Sequence, residues 1–140
     1  MIHSIENDEL CVRVKEFGAE LTSLYCKSNH TEYLWQGDPA VWSGQSPILF
    51  PIIGRLKNDL YTIGGKEFSM PKHGLARKRP FCVTEQKENT MTFTQTDDEN
   101  TLLQYPFHYR LSVRFSLSGR KLTVAHIVEN INNQDMYFSI

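Results

Sequence analysis

The sequence predicts an all-β fold from three observations. Apolar side chains recur at every second position, glycine-containing turn signals separate these runs at close spacing, and no segment sustains a 3.6-residue apolar period over a helix's length. Period two is what a sheet with one buried face imposes. Many short strands of this kind suggest an antiparallel sandwich or a barrel.

"LCVRVKE" (10–16) sets Leu10, Val12 and Val14 against Cys11, Arg13 and Lys15. "ELTSLYCK" (20–27) is a looser β-branched and aromatic run after Gly18. "PILFPIIG" (47–54) reads as a buried strand whose prolines limit its pairing, and Gly54 turns it toward Arg55. In "LYTIGGKEFSM" (60–70) a Gly-Gly pair between two short runs marks a two-residue hairpin. "MTFTQT" (91–96) alternates again. In 109–130, Leu111, Val113, Phe115 and Leu117 share a face, Ser118-Gly119 turn the chain, and Leu122, Val124 and then Ile127 or Val128 return. "DMYFSI" (135–140) reads as a final apolar strand. Its edge needs a cover, which suggests a portion of a longer protein.

At 140 residues the chain fits one domain, with 40% hydrophobic and 22% charged residues. A net charge of −1 supplies no field for nucleic acid or an anionic membrane, and "RKR" (77–79) is too short to change that. No apolar run approaches the ~20 residues of a helical membrane span. "MIHSIENDEL" lacks the charged-then-apolar pattern of a secretory signal. Cys11, Cys26 and Cys82 are odd in number and widely spaced, which argues for reduced thiols in a cytoplasm and for small apolar strand positions. None forms the C-x-x-C pair of a zinc site.

Five histidines are present. His3, His30 and His108 sit among polar neighbours near strand ends or loops, where a hydrogen-bonded surface role is expected. His126 belongs to a strand. His73 sits in a loop stiffened by Pro71 and released by Gly74, the kind of rigidly held loop that carries binding groups; a lone loop histidine without a ligand is the plainer alternative. Arg55 is either a strand end reaching water or a guanidinium placed to fork onto hydroxyls or a carboxylate. Trp35 and Trp42 flank a Gly37-Asp38-Pro39 loop, where they either stack on a sugar ring or pack between sheets. No carboxylate pair, glycine-rich phosphate loop or Ser-His-acid set declares itself.

The stretches "GAELTSL" (18–24), "YLWQGDPAVW" (33–42), "LFPIIGRLKNDLY" (49–61), "HGLAR" (73–77), "YPF" (105–107) and "MYFSI" (136–140) together resemble the aldose 1-epimerase, or galactose mutarotase, family. They follow the family's order across nearly the whole chain. The resemblance implies a large antiparallel β-sandwich, the galactose mutarotase-like supersandwich, with residues 1–140 as the N-terminal part of one domain. It also implies a cofactor-free, cytoplasmic isomerase that interconverts the α and β anomers of free hexoses through a general acid and a general base. Arg55 matches the family's substrate-binding arginine and His73 its first active-site histidine, which hydrogen-bonds the sugar. The acid histidine and base glutamate correspond to positions after Ile140, so these residues form a sugar-contacting half-site whose activity alone is not expected.

Two departures bear on substrate. Gly54 stands where the galactose-preferring branch has asparagine, so the sugar need not be galactose. "HGLAR" also resembles the hexose-6-phosphate mutarotase branch, making Arg77 a candidate phosphate ligand or, equally, a structural ion-pair partner. The Arg-Gly-Gly of that branch is replaced by "WSGQSP" (42–47), which ranks the phosphosugar second. A non-catalytic carbohydrate-binding module of the same fold is the principal rival.

Overall fold

Alternation becomes burial in β2 (Leu10–Lys15), where Leu10, Val12 and Val14 are buried and Arg13 is exposed. β2 pairs antiparallel with β1 (Ile2–Glu6) on one side and β3 (Glu20–Cys26) on the other, and the two-residue β4 (Thr31–Glu32) pairs antiparallel with the far side of β3. A register shift at Arg13/Val14 disturbs the β2–β3 ladder, which explains the looser alternation of 20–27. The computed structural model describes residues 1–140.

A second antiparallel sheet has the order β10-β9-β8-β7, from β7 (Cys82–Lys87), β8 (Thr90–Thr96), β9 (Tyr109–Ser118) and β10 (Lys121–Asn130). Ser118 pairs with Lys121, so the hairpin loop is Gly119-Arg120, one residue later than the sequence suggests. The hairpin β5 (Leu60–Ile63) and β6 (Lys66–Ser69) turns at Gly64-Gly65, as expected. The α-helical content is one turn, α1 (Glu99–Leu102). Val12, Val14 and Ile5 from the first sheet meet Met91, Phe93, Leu111, Val113 and Phe115 from the second in one apolar core. The predicted antiparallel sandwich is therefore observed.

Two expected strands are absent. Residues 47–54 contain one isolated bridge, Phe50 to Gly74, and otherwise run as irregular backbone in which Ile48, Phe50 and Pro51 are buried and Ile53 and Gly54 are exposed. Pro47 and Pro51 have no N–H to give a ladder. The strip is held instead by its contents: Phe50 is fully buried, with its ring 5.1 Å from Tyr109 and 5.7 Å from Phe138. The Phe50 carbonyl accepts from the N–H groups of Leu75 (2.8 Å) and Ala76 (3.1 Å). Residues 135–140 are likewise irregular. The Ser139 N–H donates to the Pro51 carbonyl at 2.9 Å, while Tyr137 and Phe138 remain exposed.

The cysteines are free thiols on strands, but only Cys26 is buried; Cys82 is exposed and so is not a core residue. Trp35 and Trp42 do not pack between the sheets: both are exposed, and the Trp35 indole N–H donates to the Trp42 carbonyl at 2.8 Å.

Candidate active site

The loop after β6 is folded back onto the 47–54 strip, and glycine makes that possible. At Gly74 (φ +72°) a Cβ would lie 2.2 Å from the Phe50 carbonyl oxygen, so a side chain there would prise the two segments apart. The Gly74 N–H donates to the Pro71 carbonyl at 2.9 Å, closing the turn. His73 precedes it with φ +70°, an uncommon backbone for a residue with a Cβ.

This turn brings His73 against Ile53 and Gly54. The His73 backbone N–H donates to the Gly54 carbonyl at 2.8 Å, and its Nδ1 bonds to the Ile53 carbonyl. A carbonyl only accepts, so Nδ1 carries the proton; in the neutral ring Nε2 is then an acceptor.

Arg55 follows directly from this contact. Its Nε and Nη2 donate to Asp59 Oδ1 and Oδ2 at 2.8 and 2.7 Å, a two-point grip. The grip raises the Arg55 pKa further and lowers that of Asp59. With 64% of its side chain exposed, Arg55 lies on the surface and is not simply a strand end, because no strand leads to it. His73 is thus held against the carbonyls of Ile53 and Gly54, the two residues that precede Arg55. The sequence reading did not include Asp59, although its four-residue spacing from Arg55 was a visible signal.

Arg77 lies in the 3₁₀ turn Ala76–Lys78. It has no ion pair, so the structural-pair alternative is not realised; its Nε is buried without a hydrogen-bond partner. No hydrogen bond links its side chain to Arg55 or His73. The other histidines have structural partners or apolar surroundings. His3 bonds Glu16 and Gln86, His30 bonds Tyr25, and His108 bonds Asp97. His126, exposed on β10, borders an apolar cavity of about 340 Å³ with Ile53, Phe115, Val124 and Ile140, and partial desolvation there lowers its pKa.

The largest groove, about 840 Å³, lies elsewhere along the strip, between Leu56, Tyr61, Met70, Tyr105, Phe107 and Phe138. Neither Arg55, His73 nor Arg77 lines it. The hydroxyls of Tyr61 and Tyr105 already donate to the carbonyls of Gln104 (2.7 Å) and Tyr137 (2.9 Å), and burial pushes Tyr61 up to about 12.

Against known proteins, the aldose 1-epimerase family matches residues 1–140. The chain belongs to the aldose 1-epimerase family. It is 36% identical over 139 residues to protein LacX of Lactococcus lactis subsp. lactis, covering 96% of this chain and 46% of that protein. A galactose mutarotase-like protein from Lactobacillus casei superposes with a TM-score of 0.95 at 38% identity, covering 99% of this chain and 47% of that one. A galactose mutarotase related enzyme from Lactobacillus acidophilus gives 0.96 at 36% identity, with 99% and 46% coverage. The sandwich is galactose mutarotase-like, and this aldose 1-epimerase-family chain spans about half the length of the relatives it matches.

Proposed function

We propose that this chain is the sugar-holding portion of an isomerase that interconverts the α and β anomers of free hexoses. One observation carries the reading: His73, its Nδ1 tied to the Ile53 carbonyl, is anchored on the two residues that lead directly into Arg55, whose guanidinium Asp59 grips. Sugar hydroxyls both donate and accept, so a neighbouring acceptor and donor can bind them in one orientation. His73 Nε2 accepts from one hydroxyl while an outward guanidinium N–H of Arg55 donates to an oxygen. The large groove includes none of Arg55, His73 and Arg77, and its Tyr61 and Tyr105 hydroxyls already donate to backbone carbonyls.

The position of the chain's last residues supports the same reading. Ser139 is tied to the strip twice, by its N–H to the Pro51 carbonyl and by its Oγ accepting from the Ile53 N–H at 3.2 Å. The resemblance assigns the general acid to a position after Ile140, and Ser139 is held on the strip whose Ile53 carbonyl meets His73. Ring opening and reclosure need only proton transfers, so the reading requires no cofactor. Gly54 places no side chain beside Arg55 and leaves the hexose unspecified. Arg77 serves as a phosphate contact only in a hexose-6-phosphate variant of this function.

Titration of the 140-residue chain with glucose and galactose, followed by NMR, is expected to shift Arg55 and His73 resonances without accelerating mutarotation. The full-length protein is expected to accelerate it in a coupled assay. Binding without turnover in the full-length protein would instead favour a carbohydrate-binding module. Absence of binding to any aldose would sink both.

A further inference from the structure

Asp59 is held more firmly than a surface ion pair requires. The carboxylate occupies both Nε and Nη2 of Arg55, yet Arg55 is 64% exposed, and a pair this open to water adds little to stability. Reaching this position uses two successive left-handed residues, Asn58 (φ +56°) and Asp59 (φ +57°), in a tight 3₁₀ turn. The turn is secured on both sides, by the Asp59 N–H donating to the Leu56 carbonyl at 3.0 Å and the Met70 N–H donating to the Asp59 carbonyl at 2.8 Å. Met70 is buried, so the carboxylate's backbone is anchored to the core rather than to a mobile loop.

We infer that Asp59 is a positioning residue for ligand binding: it fixes the Arg55 guanidinium, so that a hexose meets an already oriented donor. This rests on the sugar-site reading above. An arginine tied along its Nε–Nη2 edge keeps its Nη1 protons and the second Nη2 proton for a ligand. Without the tie, a long flexible side chain would have to be ordered by the sugar itself, and that entropy would be deducted from affinity.

Asp59→Asn is the informative substitution, because asparagine tolerates the left-handed backbone and is nearly isosteric while removing the charge. Ordering one such side chain costs about 0.5–1.5 kcal/mol, so the Kd for glucose or galactose, read by NMR titration of the 140-residue chain, should rise about 2- to 12-fold. The Arg55 Nε–H resonance should lose its protection from exchange at the same time, while the melting temperature stays close to that of the wild type. In an Arg55→Ala background, Asp59→Asn should have no further effect on Kd, since Asp59 acts through Arg55. Unchanged affinity in Asp59→Asn, or an equal loss with and without Arg55, would overturn the inference while the wild type still binds. A wild type that binds neither hexose would overturn the sugar site itself and this inference with it.

Discussion

At Gly74, an added Cβ would sit 2.2 Å from the Phe50 carbonyl oxygen and 2.7 Å from the Pro51 nitrogen, at a φ of +72° that side chains rarely adopt. Backbone strain of this kind costs on the order of 1–3 kcal/mol, so Gly74→Ala should lower the midpoint of thermal unfolding by several degrees. It should also weaken hexose binding, because the turn it disturbs sets the His73–Ile53 contact. His73→Phe separates these effects. It keeps a flat ring but removes the acceptor, and the loss of one hydrogen bond, about 0.5–1.5 kcal/mol, should raise a sugar Kd several-fold by NMR titration with a smaller change in stability. His73 and Gly74 were legible as a rigid loop from Pro71 and Gly74 alone. The partner carbonyls of Ile53 and Gly54 were not, because a contact across a loop leaves no periodic trace in sequence. Arg55 was ambiguous for the same reason; its meaning depends on Asp59 and on which segment the loop folds against.

Elements whose one face is buried were readable, and those held by irregular contacts were misread. β2 and β9 show period two because each places alternate residues in the core, and β8 buries Met91, Phe93 and Gln95 in the same way, with Thr92 buried on its other face. The 47–54 strip is as apolar as a strand, yet its prolines forgo a ladder and its hydrogen bonds come from His73, Leu75, Ala76 and Ser139. Apolar content alone cannot separate these two ways of burying a chain. Phe50→Ala should therefore cost about 3–5 kcal/mol in urea unfolding, as removal of a buried aromatic does, although no strand is broken. The loop from 33 to 46 is pinned differently, by two carboxylates at the first sheet's edge. Burial would push Glu20 up, but the Lys15 ammonium and the N–H groups of Gln45 and Ser46 outweigh it and hold its pKa below the usual 4.5. Glu32 is lowered in the same way: the Ser23 hydroxyl and the N–H groups of Leu34 and Leu24 overcome burial. A lowered folded-state pKa means stability that is present above the unfolded value and lost as pH falls through the folded one. Unfolding followed below pH 4.5 should therefore show acid destabilisation that Glu20→Gln and Glu32→Gln each make shallower.

The molecule as a whole is a sandwich with one open side. On β9, Leu111, Val113, Phe115 and Leu117 are buried, but their cross-strand partners on β10 are not equally covered. Leu122 and Val128 are half-buried, and Val124 and His126 are exposed on the same inward face. β10 is also the terminal strand of its sheet, with ten residues and an unpaired edge. In the matched Lactobacillus casei protein, more than half the chain lies outside the portion equivalent to this one. The 140-residue chain on its own therefore exposes a long edge and an apolar strip, for which another copy is the available partner. Its apparent mass by light scattering should rise with concentration. Lysine at Val124 charges the inward face and lysine at Ile127 the outward face, both on the edge strand. Each should return the chain toward a monomer, because a buried unpaired ammonium is costly to desolvate whereas an exposed one is not. A wild-type chain that stays monomeric at every concentration would show that β10 protects its own edge and that the open side is stable in water.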